Sequence, residues 1–148
     1  MANTKVTVEQ AIKAGEAIVY RVPHPGYDMG NRLGPDSYDC SGFMATIWGL
    51  VDIYKVAPTT GFMATEYPKY GFDHYNYGSV TLKKGDILLY PTVGEHFGHT
   101  VMVYDDDISQ LIECHSGANP GPDIRGFWGD SEWTDVLRGS GGFYIDKW

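Results

Sequence analysis

"YDCSGF", residues 38–43, holds one of only two cysteines in a chain of 148 residues. Asp39 precedes Cys40, Ser41 and Gly42 follow it, and an apolar helical pattern begins at once. A cysteine buried for packing alone would have apolar flanks. Polar neighbours on both sides predict an exposed thiol at the first turn of a helix. There, unpaired backbone N–H groups and the helix dipole favour a thiolate and can hold an oxyanion. The stretch "CSGFMATIWGLVDIYK", residues 40–55, continues that helix, with Phe43, Ile47, Leu50, Val51 and Tyr54 as its buried stripe.

On the N-terminal side lies "RVPHPGYDMGNRLGPDSYD", a loop by its Pro, Gly and Asp content. Before it, "TVEQAIKAGEAIVY", residues 7–20, spaces Val8, Ala11, Ile12, Gly15, Ile18 and Val19 as one helical face. Thr7 and Gln10 fit a capping box at its start. On the C-terminal side, residues 57–80 are rich in turn formers. From residue 86 the period shortens to that of strands: "DILLYP", "HTVMVY", "QLIECHS" and, near the end, "GGFYID". "DDDIS" between two of them reads as a hairpin connection, and "GANPGPDIRGFWGDSEWTD" as a loop whose Trp128 and Trp133 border a groove or cover the sheet. Helices first and an antiparallel sheet after them predict an α+β fold in one domain, residues 1–148.

The composition, 43% hydrophobic and 20% charged, is that of a globular chain. A net charge of −8 argues against nucleic acid as a partner, and against tight binding to an anionic membrane or polymer through charge alone. No apolar run reaches the length of a membrane span, and "MANTKVTVEQ" has no signal-peptide core. Synthesis in the cytoplasm, as a monomer, is the expectation. Two cysteines are too few for a disulfide scaffold or a zinc ribbon. Asp105–Asp107 lack the alternating ligands of a calcium loop.

A nucleophilic cysteine needs a base. Of five histidines, His99 is best placed, at the start of "HTVMVY" behind Gly98, on one strand face with Val101 and Val103. One strand on, Leu111, Glu113 and His115 share a face, while Ile112 and Cys114 take the other. Packing does not explain a polar pair there. Either Glu113 or His115 can accept the second ring proton of His99 and fix its tautomer. Cys114 reads as a small core residue, which argues against a disulfide to an outward-facing Cys40.

"DCSGF", "LKKGDILLY", "GHTVMVY" and "IECHSG", in that order, resemble the NlpC-type cysteine peptidases, papain-like cell-wall hydrolases related to the CHAP amidases. "GPDSYDCSGF" and "GHTVMVYDDD" look especially like the phage-encoded amidase, or endolysin, branch. The resemblance covers about residues 7 to 118. It implies a papain-like fold with N-terminal helices on a central antiparallel sheet, Cys40 as nucleophile and His99 as general base, with no metal or cofactor. A family Tyr that lines the oxyanion hole falls on Tyr27 in "YDMGN", where Met29 and Asn31 replace the family's Trp and second Gly. Asp39 and Ser41 match positions that bind a substrate amine or shape the pocket. The third catalytic position reads two ways, as His115 or as Glu113, with a slight balance towards His115.

The implied substrate is bacterial peptidoglycan, cut as an N-acetylmuramoyl-L-alanine amidase or as a γ-D-glutamyl or cross-bridge endopeptidase. Such an enzyme acts on the wall after holin-type release or as part of a virion, alone or as the catalytic part of a longer protein. Two other classes keep the same fold: a catalytically inactive wall-binding module, and an amidase toxin delivered to competitor bacteria.

Overall fold

Helix α1, Val8–Val19, starts where the sequence places it. The Thr7 hydroxyl accepts from the Gln10 N–H, and the Gln10 side chain accepts from the Thr7 N–H, so two orphan donors of the first turn are satisfied. Ala11, Ile12, Gly15, Ile18 and Val19 form its buried face. The structure is a computed structural model and describes residues 6–51, 59–60, 63, 71–76, 81–90, 98–117, 119–126 and 144–147. Tyr54, Trp128 and Trp133 lie outside these residues.

The loop after α1 contains two short strands that pair in parallel, β1 (Gly26–Tyr27) and β2 (Ser37–Tyr38), with Tyr27 opposite Tyr38. Helix α2 follows directly, Cys40–Ile47. It was expected to run to Lys55 and stops earlier because of Gly49. That glycine has φ +67, a left-handed conformation that side chains resist. Its N–H donates to the Thr46 carbonyl, and the Leu50 N–H reaches back to the Ala45 carbonyl at 2.8 Å, the two bonds of a Schellman ending. Phe43, Ile47 and Leu50 are buried as the pattern requires.

Six strands form one antiparallel sheet among the described residues: β3 (Asp73–Asn76), β4 (Ile87–Tyr90), β5 (His99–Val103), β6 (Gln110–His115), β7 (Gly121–Gly126) and β8 (Tyr144–Lys147). Their order is β3-β8-β4-β5-β6-β7. The expected hairpin joins β5 and β6, where the Asp105 carboxylate accepts from the Ser109 and Gln110 N–H groups. Two strands were not expected. β3 lies in the turn-rich stretch, and β7 replaces the predicted loop after residue 117. Pro122 and polar Asp123 and Arg125 hide β7 from a periodicity search. It is the last strand in the order, where a residue without an N–H is tolerated.

The helices pack on one sheet face. Ile87, Leu89, Met102, Ile112 and Cys114 meet Ala11, Ile12, Phe43, Met44 and Ile47 there. Leu88, Val101, Val103, Leu111 and Ile145 form a second cluster on the opposite face. Each fully buried aliphatic or aromatic side chain contributes roughly 1.5–3 kcal/mol. The result is the α+β architecture, with α1 and α2 packed on an antiparallel sheet. No helix among the described residues is long and apolar enough to cross a membrane.

Candidate active site

Asp39 is the N-cap of α2, and its Oδ1 accepts from the Gly42 N–H at 2.7 Å. Capping uses that first-turn donor and fixes the direction of the turn that carries Cys40. Gly42 is required by space: a Cβ there would lie 2.1 Å from the Arg32 carbonyl oxygen. Arg32 also brackets the cysteine with its guanidinium. Its Nε donates to Asp39 Oδ2 and one Nη to Ser41 Oγ at 2.8 Å. Thus both residues flanking Cys40 are buried and held by one arginine.

The thiol expected to be exposed is not. Cys40 is 6% exposed, with Tyr27 and His99 nearby. Cys114 lies fully buried, with its thiol donating to the Tyr38 carbonyl, and both cysteines are free. Burial first, then the charges of Cys40, Asp39 and Glu113, push the Cys114 thiol up. It stays protonated and inert.

The side chain of His99 interacts with Cys40 on one side and meets Glu113 on the other, through Nε2 to Oε2 at 3.1 Å. With Nε2 used by the carboxylate, Nδ1 is the ring nitrogen left for proton exchange with the thiol. Burial disfavours a charge on His99, but its interactions with Cys40 and Glu113 outweigh it and raise its pKa to about 10. Glu113 is fully buried. Burial acts against its charge, yet the His99 bond and the charges of His99 and Arg125 hold its carboxyl below the ordinary value. Its second oxygen, Oε1, accepts from Arg125 at 3.0 Å. The ring of Tyr90 lies beside His99, centroids 6.4 Å apart.

His115, the other candidate for the third position, is turned to a different partner. Its Nε2 lies 3.3 Å from Asp123 Oδ2. Tyr27 sits close enough to Cys40 and Asp39 that their charges, after burial, push its phenol well above the usual range. Its phenol therefore stays neutral and keeps its O–H. The structure thus brings Tyr27, Asp39, Cys40, Ser41, His99 and Glu113 to one place, with His115 adjacent.

Arg32, Asp123 and Arg125 were absent from the sequence expectations. Asp123 and Arg125 become visible once β7 is known, because β7 pairs Glu113 with Asp123 and Leu111 with Arg125. Arg32 gives no local signal, since its partners lie seven and nine residues on.

A cysteine on the first turn of a helix, facing a histidine that opens a strand of an antiparallel sheet, defines an NlpC-type, papain-like fold. NlpC1 and NlpC2 from Trichomonas vaginalis are similar structures, each with a TM-score of 0.58 and 20% identity. They cover 86% and 88% of this chain, which in turn covers 42% and 46% of theirs. The chain therefore spans less than half the length of either. No curated protein matches it. Residues 8–122 match the bacteriophage peptidoglycan hydrolase family (Amidase_5), and the chain belongs to that family.

Proposed function

We propose that this chain cleaves an amide bond in the peptide part of bacterial peptidoglycan, with Cys40 as nucleophile and His99 as its acid–base partner. The observation that carries the reading is the buried His99, set beside Cys40 and bonded to the buried carboxylate of Glu113. Glu113 takes the orienting role in preference to His115, because Glu113 meets the imidazole and His115 is engaged by Asp123.

His99 holds a proton through the neutral range, the form that stabilises a thiolate opposite it. The sulfur attacks the amide carbonyl. The oxyanion is received by the Cys40 and Ser41 N–H groups, first-turn donors that the Asp39 cap does not take, and by the Tyr27 hydroxyl. His99 then gives its proton to the departing amine. Water, deprotonated by the now neutral His99, hydrolyses the thioester and restores Cys40. Asp39 and Ser41 shape this pocket through Arg32 rather than meeting substrate themselves. No step calls for a metal. The enzyme works on the wall after holin-type release or as part of a virion.

Digestion of purified peptidoglycan by wild-type protein and Cys40→Ala, with mass spectrometry of the fragments, tests this. Wild-type protein releases products and Cys40→Ala does not. Glycan chains free of stem peptide identify the N-acetylmuramoyl-L-alanine amidase, and shortened stems an endopeptidase. Equal release by both proteins removes Cys40 from the mechanism. Binding to walls of several chemotypes without release by either makes the chain a wall-binding module.

A further inference from the structure

We propose that Arg125 is a positioning residue for the Cys40–His99 pair and acts through Glu113. This rests on the reading of that pair as the reacting groups.

Glu113 is a fully buried carboxylate, and its two oxygens have different partners. Oε1 receives Arg125 Nη1 at 3.0 Å, and Oε2 meets His99 Nε2 at 3.1 Å. A carboxylate bonded only to an imidazole can rotate and share both oxygens with it. Once Oε1 is held from the other side, the plane is fixed and a single oxygen remains for the ring. The sheet register explains how Arg125 gets there. Glu113 lies opposite Asp123 and Leu111 opposite Arg125, so Arg125 reaches Glu113 along the cross-strand diagonal. The side chain of Arg125 is 38% exposed, so it brings its charge to the buried carboxylate while part of the side chain stays in water.

The arrangement also answers an electrostatic requirement. A buried anion without a permanent countercharge takes up a proton instead. His99 cannot serve as that countercharge through a reaction in which it gives its proton away. Arg125 keeps its charge at every pH of interest. Glu113 therefore remains an acceptor for His99 Nε2–H while His99 is neutral, midway through turnover.

A double-mutant cycle with Arg125→Gln and Glu113→Gln, together with Arg125→Lys, tests this on protein whose thermal unfolding shows it folded. The first readout is kcat and KM on solubilised muropeptides as a function of pH. The second is the rate of Cys40 alkylation by iodoacetamide, located by peptide mass spectrometry, which needs no wall substrate. Arg125→Gln should lower kcat by about tenfold or more and leave KM within about twofold. Its acid limb, in both readouts, should move to higher pH, because Glu113 is protonated more readily. Arg125→Lys should restore part of both, through charge without the planar fork. In the Glu113→Gln background, Arg125→Gln should add less than about twofold.

Equal losses in both backgrounds, a raised KM with kcat intact, or lower stability with the acid limb unmoved would each overturn the proposal. So would an Arg125→Lys variant that folds but behaves as Arg125→Gln. If wild-type protein cuts no muropeptide, the hydrolase reading fails, and the alkylation cycle still decides the role of Arg125.

Discussion

Glu113 and His115 stand two apart on one strand face and differ in what they touch. Glu113 bonds His99, and His115 bonds Asp123. Glu113→Gln should therefore lower kcat by about a hundredfold or more, since an amide can hold the wrong imidazole tautomer. His115→Gln should cost less than about fivefold, as expected of a neighbour outside the relay. Lysis rates of the two variants at equal folded concentration decide between them, and a reversed order would give His115 the orienting role. The pH profile separates them again. The alkaline fall of kcat/KM near pH 10 follows the loss of the His99 proton. Glu113→Gln removes one of the bonds that raise His99 and should move that fall to lower pH, while His115→Gln leaves it in place. Stability follows the same protons. Folded His99 has the higher pKa, so its contribution is complete below about pH 6.5 and lost as pH rises through about 10. Glu113 is the opposite case: its contribution is present above about pH 4.3 and lost as pH falls through its lowered folded value. Sequence made Cys40 and His99 legible because each sits at the start of an element with a strong period. It left Glu113 and His115 unresolved because the choice depends on partners on β7.

At the scale of the element, α2 is set by one glycine inside it and one after it, for different reasons. Gly42 allows the Arg32 backbone to pass over the first turn, and a Cβ would meet a carbonyl oxygen at 2.1 Å and Asp39 Oδ1 at 2.8 Å. A backbone atom cannot swing aside as a side-chain end can. Gly42→Ala should therefore displace Cys40, lowering lysis by more than about tenfold even in molecules that remain folded. Gly49→Ala strains only the helix end, at φ +67, and costs about 1 kcal/mol. That is a fall in Tm of roughly 2–4 °C for a domain of this size, with lysis per folded molecule unchanged. Measuring Tm and lysis on both variants separates positioning of the nucleophile from support of the helix. If Gly42→Ala lost stability and activity only in the ratio seen for Gly49→Ala, the positioning role of that turn would be wrong. The start of α2 could be read from Asp39 and Ser41, whereas its end could not, because Leu50 and Val51 continue the apolar pattern past a glycine. β7 escaped for the converse reason: its strand character comes from pairing with β6, and its own residues alternate weakly.

Over the whole molecule, the order of α1 and α2 before the strands of the six-stranded sheet was legible because local periodicity determines it. The position of β8 between β3 and β4 was not, since bringing the last strand into the middle of the sheet leaves no mark on a local pattern. Charge belongs to this scale too. The chain carries a net −8, and its proposed substrate carries the carboxylates of stem peptides. Encounter is thus opposed by a long-range repulsion, while the Cys40–His99–Glu113 group is buried and little affected by salt. The screening length falls from about 30 Å at 0.01 M salt to about 10 Å at 0.1 M. Raising salt across that interval should therefore increase the rate at low wall concentration by roughly severalfold, with kcat at saturation unchanged. Initial lysis rates at both salt concentrations, at low and saturating wall, measure the two quantities. A rate that falls with salt would mean that a cationic surface docks the wall against the net charge of the chain. The partly exposed side chain of Arg125, beside the buried carboxylate it holds, would then be the first group to test for contact with substrate.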